Sequence, residues 1–283
     1  MRFRGILIAN RGEVAIRISR ACADLGVPSV AIFSEDDKNS LHVKMADDAV
    51  AISGVGTSSY LDIDALLQVA KNTGCDAIHP GYGFLSERAD FAEQCNAAGI
   101  TFIGPESHHL RLFGDKAAAR SAAHYAGVPV SKGTFGAVCL EQAEEFFDSA
   151  NGSVIIKALS GGGGRGTRLV SHKEDLKEAF RACQSEARKA FGISDVYLEK
   201  FVEHARHIEV QIIGDKYGNV VHLGDRECSV QRRNQKLVEI APAPNLSDQL
   251  RDEILGSALK FARSQKYSSL GTFEYLLDLD SEE

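Results

Sequence analysis

Short apolar runs and segments of helical periodicity alternate along the first hundred residues. The run GILIA (5–9) precedes a segment from Glu13 to Leu25 whose apolar residues recur on one helical face, and Gly26 marks its end. The same order continues through VPSVAIFS, AVAIS, a helical segment over 63–71, CDAIHPG, a helical segment over 87–98 and ITFIGP. Because strands that alternate with helices usually pair in parallel, we predict an α/β fold that begins with a Rossmann-like parallel sheet covered by helices on both faces.

A helical segment follows over 116–126, and the pattern changes from about Ser131. Three helical segments surround the next predicted strands, which are VIIKAL, TRLV and VYLEKFV. A further group of strands contains one helical segment, over 248–264, and consists of HIEVQIIGD, NVVHLGDREC and GTFEYLLDL. Strands rich in β-branched residues without crossover helices favour antiparallel pairing. We therefore predict three domains, over residues 1–115, 116–202 and 203–283.

The composition of the chain bears on two questions: which classes of partner it can bind, and where in the cell it is found. The 283 residues include 44% hydrophobic and 25% charged side chains, as is typical of a globular chain, and the formal net charge is −7. This charge argues against a nucleic-acid partner, and no stretch approaches the ~20 apolar residues of a membrane span. The six cysteines form no C-x-x-C pair, so we expect reduced thiols. We predict a cytoplasmic protein, or a mitochondrial-matrix protein if the source is eukaryotic.

A run of glycines, SGGGGRG at residues 160–166, partly matches two nucleotide-binding patterns. Gly161, Gly163 and Gly166 satisfy G-x-G-x-x-G, but that fingerprint needs a strand before the glycines and a helix after them. Here VIIKAL precedes the run and the β-branched segment TRLV follows it, which predicts a connection between two strands. The P-loop pattern fails because Thr167 occupies the position of its lysine. The sequence therefore disfavours an NAD(P) oxidoreductase.

The glycine run could be a simple hairpin turn, or it could bind phosphate. Lys157 lies three residues before the run, and Arg165 lies within it. Glycine N–H groups can approach phosphate oxygens because no Cβ blocks them, and neighbouring cations compensate the charge. Each charge-assisted hydrogen bond contributes about 1.5–3 kcal/mol, so a few of them offset the cost of ordering the turn. The two flanking cations favour a phosphate-binding loop.

Segments spread along the whole chain share their order and spacing with a known family. They are ILIANRGEVAIRISRA, AIHPGYGFLSE, GDK (114–116), IIKALSGGGGRG, RHIEVQI, GDRECSVQRRNQK and GTFEYL. This series resembles the biotin carboxylase component of biotin-dependent carboxylases, within the ATP-grasp superfamily. The resemblance implies a pre-ATP-grasp domain with a Rossmann-like parallel sheet, followed by an ATP-grasp module. It also implies MgATP-dependent carboxylation of biotin by bicarbonate, through carboxyphosphate.

The resemblance assigns nucleotide-binding roles to several residues. Lys116 and Lys157 resemble the lysines that bind the ATP phosphates. Glu199 and the backbone at Lys200 and Val202 would contact the adenine. The glycine run resembles the loop that closes over the phosphates, and its residues are Gly161, Gly162, Gly163, Gly164, Arg165 and Gly166. The remaining nucleotide contacts implied by the resemblance are His207, Gln231 and Asn234, although many family members have histidine at position 234.

Catalytic and metal-binding roles follow from the same resemblance. Lys236 resembles the lysine that helps to hold bicarbonate, and Arg233 belongs to the same basic segment. Glu274 resembles a magnesium ligand, and Tyr82 would lie near the ureido ring of biotin. Taken one at a time, these assignments have ordinary alternatives: Glu274 could lie on the polar face of a strand, and QRRNQK could be an exposed basic loop. The ordered series of motifs favours the functional interpretation.

The resemblance further implies cofactors and partners. ATP and Mg²⁺, which Mn²⁺ can replace, are the implied cofactors, and biotin is the substrate on a carboxyl carrier domain. A carboxyltransferase, in the same or a separate chain, and homodimerisation of the complete protein are also implied. The family continues beyond the strand of Glu274 with E-x-N-x-R-x-Q-V-E-H, so we expect an incomplete C-terminal lobe and little or no turnover. Two alternatives stay open: another carboxyphosphate-forming ligase, similar to carbamoyl-phosphate synthetase, and an inert nucleotide-binding module.

Overall fold

The computed structural model describes residues 3–159, 166–232 and 235–281. The chain divides into two compact units, Met1–Arg111 and Leu112–Glu283. The sequence-based division at residues 115 and 202 stays a prediction. None of the helices in the described ranges is long and apolar enough to cross a membrane.

The first unit is built around a parallel sheet of five strands. The strands are β1 (Ile6–Ile8), β2 (Ser29–Phe33), β3 (Asp48–Ala51), β4 (Ala77–His79) and β5 (Thr101–Phe102). The helices are α1 (Gly12–Leu25), α2 (Leu41–Met45), α3 (Ile63–Asn72), α4 (Ala89–Ala97) and α5 (Ser107–Gly114), the last of which runs across the boundary. The strand order is β3-β2-β1-β4-β5 and every pairing is parallel, which confirms the predicted α/β sheet.

Apolar clusters cover both faces of this sheet. On one face, Ile6 and Ile8 of β1 pack with Ile18 of α1. On the other face, Leu7 of β1 belongs to a cluster that also contains Leu66 of α3. Successive residues of a strand point to opposite faces, so a fully apolar β1 can bury side chains on both sides.

The connections in this sheet run in opposite directions from β1. Strand β2 lies on one side of β1 and β4 lies on the other, so the loops that follow β1 and β4 are neighbours at the carboxyl ends of the strands. In open α/β sheets this arrangement forms a crevice in which ligands commonly bind. The loops contain the sequence motifs NRGE and HPGYG.

The second unit contains two antiparallel sheets. Its helices are α6 (Lys116–Tyr125), α7 (Leu140–Ala150), α8 (Lys173–Phe191) and α9 (Asp248–Ser264). Its strands are β6 (Val154–Ala158), β7 (Thr167–Val170), β8 (Val196–Lys200), β9 (Ala205–Gly214), β10 (Val220–Arg232), β11 (Gln235–Ile240) and β12 (Ser269–Asp278). The strand orders are β7-β6-β8 and β11-β10-β9-β12.

Strands β6 and β7 flank the glycine run as an antiparallel pair, with Lys157 opposite Thr167. The predicted strand–glycine–strand order is therefore confirmed. Alternate residues of β6, such as Val154 and Ile156, pack against α7 and α8, so Lys157 projects from the opposite face. Of the predicted phosphate-loop residues, Gly161, Gly162, Gly163, Gly164 and Arg165 lie outside the described residues.

The four-stranded sheet packs one face against α9. Ile208, Val210 and Ile212 of β9 are buried in the cluster that contains this helix, and the polar residues between them lie on the opposite face. The predicted antiparallel pairing is confirmed. The sequence does not predict strand β11, because its first two residues, Gln235 and Lys236, belong to the basic segment QRRNQK. All six residues of the strand are exposed, and its pairing with β10 defines it. Arg233 and Asn234 lie outside the described residues.

Candidate active site

Three cations surround one buried carboxylate in the second unit, a group that we call the lysine cluster: Lys116, Arg120, Lys157 and Glu199. Glu199 lies on β8 and only 5% of it is exposed. Its carboxylate accepts hydrogen bonds from Lys157 Nζ at 2.8 Å and from Arg120 Nη1 at 3.1 Å. Lys116 and Arg120 lie four residues apart at the start of α6, and therefore on one face of that helix.

The charges of the lysine cluster do not balance. Burial lowers the pKa of Lys116, the positive charge of Lys157 lowers it further, and Glu199 offsets this only in part. Burial raises the pKa of Glu199, but Lys157 and Arg120 outweigh that effect and bring the pKa below its ordinary value. Three cations thus face one ionised carboxylate, and the excess positive charge is suited to an anion.

The backbone beside Glu199 is partly engaged in hydrogen bonds. The N–H of Lys200 donates to Lys132 O at 2.7 Å, and Val202 lies half-buried just beyond β8. Gly166, at the carboxyl end of the glycine run, accepts a hydrogen bond at its carbonyl oxygen from Ala158 N at 2.9 Å. Gly166 therefore continues the backbone ladder of the hairpin.

A second set of charged residues lies on the face of the four-stranded sheet opposite α9. We call it the glutamate cluster: His207, Glu209, Arg226, Lys236 and Glu274. Glu209 occupies its centre on β9, with Glu274 of β12 directly opposite on one side and Arg226 of β10 directly opposite on the other. Only 2% of Glu209 is exposed, whereas 56% of the Glu274 side chain is exposed.

The ammonium group of Lys236 contacts both glutamates. It donates a hydrogen bond to Glu274 Oε1 at 2.7 Å and another to Glu209 Oε1. Arg226 Nη2 donates to the other oxygen of Glu209 at 2.9 Å. Burial lowers the pKa of Lys236, but its bonds to the two carboxylates outweigh burial and hold the pKa above its ordinary value. Lys236 is therefore a fixed ammonium ion.

His207 links this cluster to β10. Gln231 Nε2 lies 2.7 Å from His207 Nδ1 and 2.9 Å from Cys228 O. Because an amide nitrogen can only donate, Nδ1 accepts and the proton of the neutral ring is assigned to Nε2. That nitrogen lies 3.6 Å from Glu209 Oε1 and 3.7 Å from Glu274 Oε1. The predicted contacts His207 and Gln231 are thus brought together.

The same cluster has donor atoms that suit a divalent cation. Ligand atoms of His207, Glu209 and Glu274 all lie within 4.8 Å of one another. In the tautomer assigned above neither ring nitrogen of His207 has a free lone pair, so the two carboxylates are the candidate ligands. Mg²⁺ prefers hard oxygen ligands, and the two facing carboxylates supply them. The ammonium group of Lys236 already lies against both carboxylates, so these oxygens are arranged to share one cation.

Cys228, which is buried beside this cluster, is a protonated thiol. Burial raises its pKa to about 11, and the negative charge of Glu209 contributes to the shift. A thiol must lose its proton to act as a nucleophile, so Cys228 has no nucleophilic role at neutral pH.

Tyr82 lies in the first unit, in the crevice formed by the loops after β1 and β4. Its hydroxyl donates a hydrogen bond to Glu13, which raises the pKa of the phenol. Asn10 Nδ2 donates to Pro80 O at 2.7 Å and to Tyr82 O at 2.8 Å, so the two loops are held together. At Gly81 the φ angle is +67° and a Cβ would lie 2.7 Å from Asn10 Nδ2, which explains the glycine.

Comparison with known proteins assigns the two units to consecutive families. Residues 2–110 match the family described as "Biotin carboxylase, N-terminal domain", and residues 115–283 match "Carbamoyl-phosphate synthase L chain, ATP binding domain". The chain belongs to the family of this ATP-binding domain. Its first unit matches the N-terminal domain of biotin carboxylase.

The relatives of this chain include enzymes of different lengths. The chain is 51% identical over 276 residues to pyruvate carboxylase of Bacillus subtilis, covering 96% of this chain and 24% of that protein. It is 50% identical over 280 residues to biotin carboxylase of Nostoc sp., covering 98% of this chain and 63% of that protein. The chain therefore spans about a quarter of the pyruvate carboxylase and less than two thirds of the biotin carboxylase.

Solved biotin carboxylase structures share this fold. A biotin carboxylase–ATP complex from Campylobacter jejuni superimposes with a TM-score of 0.96 at 43% identity, covering 99% of this chain and 63% of that chain. A second structure is the biotin carboxylase domain dimer of Hydrogenobacter thermophilus 2-oxoglutarate carboxylase, in complex with MgADP, ADP and bicarbonate. It superimposes with a TM-score of 0.95 at 45% identity, covering 99% of this chain and 62% of that chain. The predicted family and fold are confirmed.

The sequence does not predict three members of the lysine and glutamate clusters: Arg120, Glu209 and Arg226. A signal for Glu209 is present in RHIEVQI, where His207, Glu209 and Gln211 alternate with apolar residues that face α9. Arg120 follows Lys116 by one helical turn, and that spacing is also visible in the sequence. Arg226 depends on the pairing of β9 with β10, which the sequence does not specify.

Proposed function

We propose that the protein carries out the MgATP-dependent carboxylation of biotin by bicarbonate. A bicarbonate oxygen attacks the γ-phosphorus of ATP, the bond to the β,γ-bridging oxygen breaks, and ADP leaves carboxyphosphate behind. The carboxyl group then passes to a ureido nitrogen of biotin, which loses its proton, and inorganic phosphate is released. The observation that carries this proposal is the excess of cations around Glu199, since a polyphosphate is the anion that such a site would neutralise.

The lysine cluster is the proposed phosphate and adenine site. Lys116 and Lys157 neutralise the ATP phosphates, and the glycine run, Gly161 to Gly166 with Arg165, covers them. Glu199 and the backbone at Lys200 and Val202 contact the adenine. Two observations support this role. Lys157 projects from the face of β6 that is not packed against helices, and an unbalanced positive charge lies beside it.

The glutamate cluster is the proposed site for magnesium and bicarbonate. Glu274, with Glu209, would hold Mg²⁺ (or Mn²⁺), which when bound neutralises phosphate charge. Lys236 and Arg233 hold the bicarbonate anion, and His207, Gln231 and Asn234 complete the contacts to the nucleotide. The fixed positive charge of Lys236 supports its role, because bicarbonate and ATP are both anions that repel each other.

Biotin and the remaining partners belong to the proposal as well. Tyr82 contacts the ureido ring of biotin, which a carboxyl carrier domain delivers and from which a carboxyltransferase removes the carboxyl group. The H. thermophilus relative was solved as a domain dimer, and we extend a homodimer to this protein. Its location is the cytoplasm, or the mitochondrial matrix in a eukaryote.

Thermal unfolding with and without MgATP tests the nucleotide site. We expect MgATP to raise the Tm of the wild-type chain, and Lys116→Met to abolish most of this increase. Because the Lys116 ammonium is desolvated and repelled by Lys157, the variant without nucleotide should be as stable as wild type or more stable. Lys71→Met, on the exposed surface of α3, is the control. A wild-type Tm that does not respond to MgATP would contradict the nucleotide site, and with it the proposed function.

The match of residues 115–283 to the carbamoyl-phosphate synthase family supports a second candidate, another ligase that forms carboxyphosphate. The two candidates differ in the acceptor. Bicarbonate-dependent ATP hydrolysis that biotin accelerates and ammonium does not, even at the low turnover expected of this chain, would support biotin carboxylation. Acceleration by ammonium alone would support the second candidate.

A further inference from the structure

Two cations, Arg120 and Lys157, donate hydrogen bonds to Glu199, and they differ in how firmly the surrounding residues fix their side chains. Arg120 is anchored at a second point, since its Nη1 donates to Ser131 Oγ at 2.8 Å and its Nη2 donates to Ser131 O at 2.6 Å. Ser131 Oγ also lies 3.3 Å from the Glu199 carboxylate. Lys157 lies on the other side of the carboxylate, at the end of a flexible side chain that is 26% exposed, against 13% for Arg120.

This difference bears on how Lys157 can reach a phosphate. To bind phosphate at full strength, the Lys157 ammonium must weaken or break its 2.8 Å contact with Glu199. A carboxylate as buried as Glu199 is strongly destabilised if it loses its only counter-ion. Arg120 is placed to prevent this loss, because it donates hydrogen bonds to both Glu199 and Ser131.

We propose that Arg120 is a positioning residue for nucleotide binding: it retains the charge of Glu199 and thereby releases Lys157 to the phosphates. This inference rests on the proposed function, because it presupposes that Lys157 binds nucleotide. In the free protein two cations, Arg120 and Lys157, donate hydrogen bonds to Glu199, and in the bound protein only Arg120 does so. The Glu199 carboxylate thus keeps one hydrogen-bonded cation, Arg120, when Lys157 turns to the phosphates.

The test measures MgATP dissociation constants of the 283-residue chain by calorimetry. Arg120→Leu leaves Lys157 as the counter-ion of Glu199, so we expect the dissociation constant to rise about 10- to 100-fold. Arg120→Lys keeps the charge but loses the two-point anchor to Ser131, so its dissociation constant should lie between those of wild type and Arg120→Leu. Arg188→Leu, on the exposed surface of α8, should bind as wild type does.

The same substitution made in a Glu199→Gln variant separates this positioning role from a purely structural role of Arg120. In Glu199→Gln the neutral amide no longer holds Lys157, so adding Arg120→Leu should change the dissociation constant little. The same comparison remains informative if Arg120→Leu alone folds poorly, because the double variant carries no unpaired carboxylate at this position. An equal loss of affinity in both backgrounds would overturn the proposal.

The pH profile supplies a further readout. The groups that face Glu199 are Lys157 from β6, Arg120 and Lys116 from α6, Tyr197 from β8 and Ser131. In Arg120→Leu, nucleotide binding would leave the carboxylate unpaired, so it would take up a proton and the affinity would increase as the pH falls from 8 to 6, relative to wild type. Identical pH profiles of wild type and variant would contradict the proposal.

The outcomes distinguish this inference from the function on which it rests. If the wild-type chain does not bind MgATP, both fail. If the wild type binds MgATP and Arg120→Leu binds it equally well, the proposed function stands and the role of Arg120 is wrong.

Discussion

Glu209 and Glu274 lie directly opposite each other on antiparallel strands, and the ammonium group of Lys236 contacts both carboxylates. Like charges at directly paired positions of a sheet repel. A cation between them removes the repulsion, and in this protein that cation is Lys236 of β11. The two carboxylates are therefore arranged to hold one cation between them.

Removing the lysine should expose the affinity of the two carboxylates for a metal. We expect Lys236→Met to lose about 1–3 kcal/mol of unfolding free energy, because Glu209 and Glu274 would then face each other without their shared cation. Mg²⁺ should restore part of this loss, so the Tm of the variant should rise with MgCl₂ more steeply than that of wild type. Lys216→Met, on an exposed turn, is the control. Equal magnesium responses in all three proteins would contradict a metal site here.

The buried glutamate at the centre of this cluster should matter more for stability than its exposed neighbours. Glu209→Gln leaves Arg226 and Lys236 without their shared carboxylate, and we expect a loss of about 2–4 kcal/mol in urea denaturation. Glu239, whose side chain is 48% exposed and lies 3.5 Å from Arg226 Nε, provides the matched control. We expect Glu239→Gln to cost less than about 0.5 kcal/mol. Similar losses in the two variants would argue against a central role for Glu209.

The ion pair between Arg11 and the buried Asp37 in the first unit should make the free energy of unfolding depend on pH in the acid range. Hydrogen bonds from Arg11 hold the pKa of Asp37 far below its ordinary value; burial opposes them, and Tyr60 and Ser40 add further bonds. A carboxyl group whose pKa is depressed on folding contributes stability above its unfolded pKa of about 3.9, and this contribution is lost as the pH falls towards the folded pKa.

Asp37→Asn should therefore be less stable than wild type at pH 7 by about 2–3 kcal/mol, and the difference should shrink below about pH 4. Chemical denaturation at a series of pH values measures it. Asp24→Asn, on the exposed surface of α1, should leave both the stability and its pH dependence unchanged. A constant difference between Asp37→Asn and wild type from pH 7 to pH 3 would show that the ion pair is not its source.

Much of the architecture was predictable because local patterns determine it. The βα alternation of the first unit rests on strands such as β1, in which consecutive apolar residues are buried on both faces. The hairpin around the glycine run was likewise predictable from the β-branched residues that follow it. Gly26, which ends α1 with a φ of 62°, confirms the predicted helix end.

The charged clusters were only partly predictable, because their contacts join residues that are distant in sequence. Lys157 and Glu199 were both assigned to the nucleotide site, but their contact arises from the pairing of β6 with β8. Arg226 joins Glu209 only through the register of β9 and β10. Strand β11 has no buried residue to produce a hydrophobic pattern, so its pairing with β10 cannot be inferred from the sequence.

The affinity of the chain for MgATP, compared between wild type and Lys157→Met, tests the central claim most directly. We expect the wild type to bind MgATP and the variant to bind it at least about tenfold more weakly, because a charge-assisted contact to phosphate is lost. Lys173→Met, which removes an exposed lysine paired with Asp148, should retain wild-type affinity. Equal affinities of Lys157→Met and Lys173→Met, or no binding by the wild type, would contradict the assignment of the lysine cluster as the nucleotide site.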